Sequence, residues 1–263
     1  MTNSVNGPRL PWEHVHFTGI GGVGMTGLAL ILDDLGVRVS GTDAAASANL
    51  ELLAGRGLAV HAGHDAGYVG TPDVLVYSSA VPTDNDERRY ATDHGIRQVR
   101  RGDFLAELAP VFPVCVSCAG SHGKTTVSAM LSHILIAAGR NPGYLVGGAV
   151  PGRDVPATAG DGGVLVTEVD ESDGTQAGMR SSHAIVTNVE DDHCWSLGGE
   201  AKLYDCFRTF AEGSDFVLAW DSPKTRELFG GHADVQFLAA ADIPAALELP
   251  VAGEHNRINA ALA

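Results

Sequence analysis

The stretch Gly120-Ser121-His122-Gly123-Lys124-Thr125-Thr126 puts small backbone, a fixed cation and two hydroxyls side by side. In a loop of this kind successive N–H groups and a helix N-terminus converge on an anion, the lysine adds a point charge, and the first hydroxyl after it can hold Mg²⁺. That is phosphate chemistry. The match to G-x-x-x-x-G-K-[ST] is incomplete, because Cys118 stands where the first glycine belongs and Gly120 comes two residues late. A strand-to-helix turn with an exposed lysine is the alternative.

A second glycine cluster, Gly19-Ile20-Gly21-Gly22-Val23-Gly24, reads G-x-G-x-x-G. Asp43 follows roughly 20 residues on, where a dinucleotide fold places a ribose-binding acid. Alone that predicts NAD, yet the same geometry serves any diphosphate at a helix N-terminus. Asp43 is equally an ordinary turn residue. Two acidic clusters complete the reactive inventory: Glu168-Val169-Asp170-Glu171-Ser172-Asp173 and Asn188-Val189-Glu190-Asp191-Asp192-His193. Carboxylate oxygens and an imidazole beside a triphosphate are what a Mg²⁺ site requires.

The elements that must position these groups are short and alternate. Val15-His16-Phe17-Thr18 is a strand feeding the first glycine loop, and Met25, Leu28, Ala29, Leu32 and Leu35 then recur at helical spacing. Val37–Ser40, 59–61, 74–77 and 96–99 are extended, with helical stretches at 50–53, 87–93 and 103–108 between them. Val114-Cys115-Val116-Ser117-Cys118 is the strand before the phosphate loop, and Val127, Met130, Leu131, Ile134 and Leu135 mark the helix after it. Strands at 164–167 and 184–187 each run into one acidic cluster. In a parallel sheet ligands lie beyond the carboxyl ends of the strands, so both clusters are expected to face the phosphate loop. Segment 147–163, rich in Gly, Pro and Ala, reads as surface loop; 203–210 and 223–229 read as helix, 216–220 and 235–238 as strand, and 253–263 as the start of a helix. The fold class is α/β with two parallel-sheet domains: a Rossmann-like domain at 1–109 and a P-loop ATP-binding domain at 110–263.

Composition narrows the partners. The 263 residues carry 17 Lys and Arg against 32 Asp and Glu, a net charge of -15, which excludes the basic footprint that nucleic acid or an anionic membrane needs. No long apolar run and no charged-then-apolar leader occurs, so a cytoplasmic protein is expected. Cys115, Cys118, Cys194 and Cys206 are too few for a disulfide framework, and Cys115-x-x-Cys118 inside an apolar strand reads as buried thiols.

Taken in order, these motifs resemble the Mur ligases over almost the whole chain: His16–Met25, Val74–Ala80, Gly120–Thr126, Glu168–Asp173, Thr187–His193, and His255-Asn256 with Asn259. The resemblance implies a first domain for a UDP sugar, a central one for ATP and Mg²⁺, and a third, absent here, that closes over ATP. It demotes NAD. It implies that Gly120, Ser121, His122, Gly123, Lys124, Thr125 and Thr126 hold ATP, with His255 and Asn256 lining the adenine site and Asn259 nearby. Lys124 would contact the β and γ phosphates, Thr125 and Glu168 would ligate Mg²⁺, and His193 would ligate a second ion. Gly19, Gly21, Gly22, Gly24, Met25, Asp43, His64 and Ser79 would hold the UDP sugar.

The implied reaction phosphorylates the carboxylate of UDP-N-acetylmuramate with ATP and lets the amine of L-alanine attack the acyl phosphate, with Lys124, Glu168 and His193 as the catalytic set. Lys202 lies too early to be the modified lysine of other branches, which fits the alanine-adding branch. Ser121 replaces the family's usual Thr, and Cys194-Trp195-Ser196-Leu197 replaces a more polar stretch. Because the chain stops at Ala263, turnover is expected only with the third domain, in cis or in trans. The alternatives are a peptide-recycling or secondary-metabolism ligase of the same type, a non-catalytic UDP-sugar and ATP-binding module, and an NAD-linked oxidoreductase.

Overall fold

The computed structural model describes residues 10–170, 174–190 and 198–263. The chain divides into two compact units, one ending at Phe104 and one running Leu105–Ala263. Glu171, Ser172, Asp173 and the stretch Asp191–Leu197, with His193 and Cys194, lie outside the described residues.

The first unit is built on β1 (His14–Thr18), every residue of which is buried because it is central in a parallel five-stranded sheet. Helix α1 (Val23–Asp34) follows the glycine loop, then β2 (Arg38–Asp43), α2 (Ala48–Gly55), β3 (Ala59–Ala62), β4 (Val74–Tyr77), α3 (Asp86–Asp93), β5 (Arg97–Arg100) and α4 (Arg101–Leu108), which runs on past Phe104. Strand order is β3-β2-β1-β4-β5. The order reverses between β1 and β4, so a crevice opens at their carboxyl ends. Val15, Phe17, Leu28, Leu32, Val74 and Phe104 fill the core, and Trp12 packs tilted against Phe104 with ring centroids 4.8 Å apart. Ser47 caps α2 through Leu50 N–H, and Asn85 caps α3 through Glu87 and Arg88 N–H.

The second unit carries a seven-stranded sheet in the order β12-β11-β10-β6-β9-β7-β8. Its elements are β6 (Val114–Ala119), α5 (Lys124–Ala137), β7 (Gly143–Leu145), β8 (Ala157–Thr158), β9 (Val164–Glu168), β10 (Ser181–Val186), α6 (Glu200–Glu212), β11 (Ser214–Trp220), α7 (Pro223–Phe229), β12 (Val235–Leu238) and α8 (Glu254–Leu262). All neighbours pair in parallel except β7 with β8. The edge strands of both sheets are short, four residues in β3, β5 and β12 and two in β8.

The doubly parallel α/β plan matches the expectation from alternation. The segment 147–163 departs from it. Val150, Ala157 and Ala159 are buried there, and Ala157–Thr158 returns antiparallel along β7. A two-residue strand is too short to show a period of two, which is why it read as loop. Cys115 and Cys118 are free and buried, as expected of strand thiols, and burial pushes the Cys118 thiol far up. Among the described residues no helix is long and apolar enough to cross a membrane.

Candidate functional site

Each unit carries a candidate site at the carboxyl edge of its sheet. In the second unit β6 ends at Ala119, and the chain turns through Gly120 at φ 134° and Gly123 at φ 86° into α5. Both angles lie where a side chain is disfavoured. A Cβ at Gly120 would collide with Thr187 Oγ1 and the Asn188 backbone, and one at Gly123 would lie 2.6 Å from Asn259 Oδ1. The helix begins at Lys124 with no side-chain cap, leaving its first N–H groups for a ligand.

The end of β10 holds this loop in shape. Ser121 N–H donates to Asn188 O at 3.2 Å, and His122 N–H to Asn188 Oδ1 at 2.8 Å. Thr187 Oγ1 and Asn188 Nδ2 both donate to His122 O, at 2.5 and 3.0 Å. Ser121 Oγ donates to Glu190 O at 3.0 Å and accepts from Glu190 N–H at 2.9 Å. Thr187 and Asn188 thus act as the frame of the loop, a role that the motif Thr187–His193 carried in the sequence without revealing. Lys124 Nζ donates to Gly120 O at 2.6 Å, curling over the loop.

Thr125 Oγ1, on the first turn of α5, donates to Glu168 Oε2 at 2.6 Å at the end of β9. A hydroxyl and a carboxylate at the mouth of a phosphate loop are oxygen donors of the kind a hard divalent cation takes, so the residues present fit Mg²⁺. Gly147 and Gly148 are shaped around the pair: a Cβ at Gly147 would overlap Glu168 Oε1, and one at Gly148 would lie 2.9 Å from the Thr125 methyl. Neither glycine stands out in the sequence, since both sit in a segment that reads as loop. His193 is outside the described residues, and among the described ones no group of three or more His, Cys, Asp or Glu gathers as a metal cluster.

Helix α8 contributes unequally. Asn259 is buried against Gly123, whereas His255 is exposed and Asn256 Nδ2 turns back to Ala252 O at 2.7 Å. Thr126 lies on the first turn of α5.

The site of the first unit is a cleft of about 650 Å³ lined by Gly19, Gly21, Gly22, Asp43–Ser47, His64, Ser78, Ala80–Pro82 and Asn85. It opens at the strand-order reversal, where the ends of β1, β2 and β4 meet. Gly19 and Ile20 N–H donate to Thr42 O at 2.8 and 2.9 Å, and Gly21 N–H donates to Asp43 Oδ2 at 2.8 Å. Asp43 thereby secures the glycine loop. Asn49 Nδ2 adds a bond to Gly21 O at 2.7 Å. Met25 is buried beneath, Gly24 packs against Arg101, and Ser79 is exposed; those three do not line the cleft. Ser47, Ser78 and Asn85 line it, although sequence reasoning passed over them. Ser78 directly follows a strand, and Ser47 and Asn85 cap helices, positions that in a parallel sheet border its ligand edge.

Beneath the cleft Glu87, fully buried, accepts from Thr18 Oγ1 and Thr42 Oγ1, each at 2.7 Å, and lies 3.4 Å from His16 Nε2. Burial alone raises its carboxyl, but the bonds from His16, Thr42 and Thr18 outweigh burial and hold it below the usual carboxylate range.

Residues 14–112 match the family described as Mur ligase family, catalytic domain. A UDP-N-acetylmuramate–L-alanine ligase of Xanthobacter autotrophicus is 36% identical over 95% of this chain and 61% of its own length. One of Rhodopseudomonas palustris is 39% identical over 93% of this chain and 54% of its own. The crystal structure of the UDP-N-acetylmuramate–alanine ligase of Thermotoga maritima superposes with a TM-score of 0.83 at 24% identity, over 95% of this chain and 63% of that one. The chain therefore spans little more than half the length of the curated relatives it matches.

Proposed function

We propose, from the match of residues 14–112 to the Mur ligase family and the likeness to its alanine-adding relatives, that this chain forms the nucleotide-sugar and ATP-binding part of a ligase that joins L-alanine to UDP-N-acetylmuramate. The observation that carries the proposal is the joint presence of two complementary sites. One is an uncapped helix N-terminus with Lys124 and the Thr125–Glu168 pair; the other is a cleft walled by a glycine loop.

In this reading the sugar nucleotide lies with its diphosphate on the first glycine loop, and ATP lies with its phosphates on Gly120–Thr126. The sugar's carboxylate oxygen attacks the γ-phosphorus, the bond to the β-bridging oxygen breaks, and ADP leaves. The alanine amine then attacks the acyl carbon to give a tetrahedral intermediate, which expels inorganic phosphate and leaves the amide. Little covalent chemistry falls to the protein. Lys124 neutralises charge on the β and γ phosphates, the N–H groups at the start of α5 orient them, and Thr187 and Asn188, by holding Ser121 and His122, keep the loop in shape without reorganisation. Mg²⁺, when bound, would neutralise phosphate charge, and Thr125 and Glu168 are the described residues that would hold it, with His193 proposed as a further ligand. His255, Asn256 and Asn259 on α8 are proposed to border the base of ATP.

Because the relatives are longer, the complete reaction is proposed of the protein together with the remaining length of the ligase, in cis or supplied as a separate chain. The test is mass spectrometry of UDP-N-acetylmuramoyl-alanine and phosphate release, with ATP, Mg²⁺ and either L-alanine or a preformed peptide, on the chain joined to that remainder. Product with alanine and little with peptide is expected. Product from the peptide alone would move the proposal to a recycling ligase, and none with either would overturn it.

A further inference from the structure

A run of side-chain hydrogen bonds leads along β1 and β2 to the first-unit cleft, and its polarity can be read from both ends. At one end the Arg38 guanidinium, which can only donate, lies 2.9 Å from His14 Nδ1. His14 Nδ1 is therefore the acceptor and Nε2 carries the proton, which it gives to Ser40 Oγ at 2.8 Å. Ser40 passes its own hydroxyl proton to His16 Nδ1 at 2.9 Å, leaving His16 Nε2–H facing Glu87 Oε2. Burial, and then Arg38, push His14 down to about 4, in keeping with a neutral ring.

At the other end the ionised Glu87 can only accept. Thr42 has one hydroxyl proton, and Glu87 Oε1 takes it at 2.7 Å. The 2.7 Å contact between Thr42 Oγ1 and His64 Nδ1 must then be donated by the ring, because the oxygen has only lone pairs left. Glu87 Oε1 also lies 3.7 Å from that Nδ1 and accepts from Asp65 N–H at 3.1 Å. His64 is thus fixed as the Nδ1–H tautomer, and Nε2 is the nitrogen left for a ligand. Among the residues lining the cleft, His64 is the one side chain able to carry positive charge.

We propose that Glu87 and Thr42 are positioning residues that lock His64 with Nε2 toward the cleft, so that an anionic diphosphate binds there with uptake of one proton on that nitrogen. The inference rests on the nucleotide-sugar reading of the cleft. Phosphate oxygens are acceptors, and a neutral Nε2 is an acceptor too, so the pair bonds only once the ring is protonated. The ionisable groups around His64 are Glu87 on α3, 3.7 Å from its Nδ1, Asp43 at the end of β2, which lines the same cleft, Asp65 next in the chain, His16 on β1, which shares Glu87, and His61 on β3. His61 is stacked on Tyr68 at 3.9 Å, and Arg88 on α3 is turned away to Val81 O and Gln98. The carboxylates outnumber the available cations, and Glu87 beside Nδ1–H is a ready counter-charge for the imidazolium.

The linkage has a definite sign. Because binding takes up a proton, affinity for a diphosphate falls as pH rises, by up to about tenfold per pH unit for one proton. Calorimetry of UDP-N-acetylmuramate, UDP and uridine at pH 6, 7 and 8, in buffers of different ionisation enthalpy, counts the protons. Uptake with both diphosphates and none with uridine is expected. Thr42→Val removes the relay and is expected to abolish the pH dependence, whereas Thr42→Ser restores it. Circular dichroism checks that each variant folds. Long-range ¹⁵N–¹H NMR on the free protein reads the tautomer directly: Nδ1–H at His64 is expected, and Nε2–H would overturn the relay. Proton uptake unchanged in Thr42→Val would overturn it equally. Failure of every uridine compound to bind would overturn the reading of the cleft and the proton coupling with it, while the tautomer, measured without ligand, still decides whether the relay exists.

Discussion

Two carboxylates near the phosphate loop look alike in sequence and do different work. Glu168 accepts from Thr125 with its side chain at the mouth of the loop, whereas Glu190 braces Ser121 with its backbone. The Glu190 side chain only approaches an exposed His122 at 3.6 Å, a contact worth little in water. Glu168→Ala is therefore expected to weaken Mg²⁺-dependent ATP binding by about tenfold or more, and Glu190→Ala by less than about twofold, since even a hydrogen bond to a charged group is worth on the order of 1.5–3 kcal/mol. Isothermal titration with and without Mg²⁺ checks this, and equal losses would remove Glu168 from the metal site. The place of Glu168 at the edge of the sheet was legible because parallel strands deliver their terminal residues there, and Lys124 was nominated by the glycine loop that precedes it. The pairing of His64 with Glu87 was not legible: it joins α3 to the stretch after β3 through Thr42 on β2, and no local pattern encodes such a contact.

At the scale of elements, the phosphate loop is held less by its own residues than by the end of β10. Gly120→Ala is expected to lower stability by about 1–3 kcal/mol, because the backbone angle and the collision with Thr187 both oppose a side chain. ATP affinity should fall with it, and thermal melts with and without nucleotide separate the two effects. Asn85 offers a second test. Its side chain accepts from two N–H groups at the start of α3, the helix that carries Glu87, so Asn85→Ala should cost about 1 kcal/mol and depress the melting temperature by a few degrees. Helix α7 and strand β12 occupy the residues expected of them, because a Ser–Pro start and an apolar run bounded by turns are strong local signals. The hairpin of β7 with β8 was illegible for the opposite reason, since its pairing is set by burial of Tyr144, Val150 and Ala157 and not by any periodicity of its own.

For the molecule as a whole, acid acts unevenly on the two units. His14 sits near 4 when folded and at 6.5 as a free side chain, so the unfolded form binds the extra proton between those values and stability drains away as pH falls from about 6.5 to 4, by up to about 3 kcal/mol. Glu87 adds to this: its carboxyl is held below 4.5 when folded, so its contribution is present above 4.5 and is lost as pH falls through the lower folded value. Both groups belong to the first unit. Hydrogen exchange followed by mass spectrometry at pH 7, 6 and 5, corrected for the intrinsic pH dependence of exchange, should show protection lost first in β1, β2 and α3 while β6 and β10 keep theirs. Simultaneous loss in both units would contradict the assignment. The arrangement of strand lengths has a consequence for how the protein behaves in crowded solution. A sheet margin is a row of unsatisfied donors and acceptors on which another chain can crystallise a strand of its own, and the length of that row limits how firmly the intruder is gripped. Here the rows are four residues or two, and β5 adds Arg97 and Arg100, whose charges deter a second copy. The long apolar strands, β6, β10 and β11, are enclosed by neighbours on both sides. Concentrated samples should accordingly stay free of fibrils and scatter little light until the sheets themselves come apart.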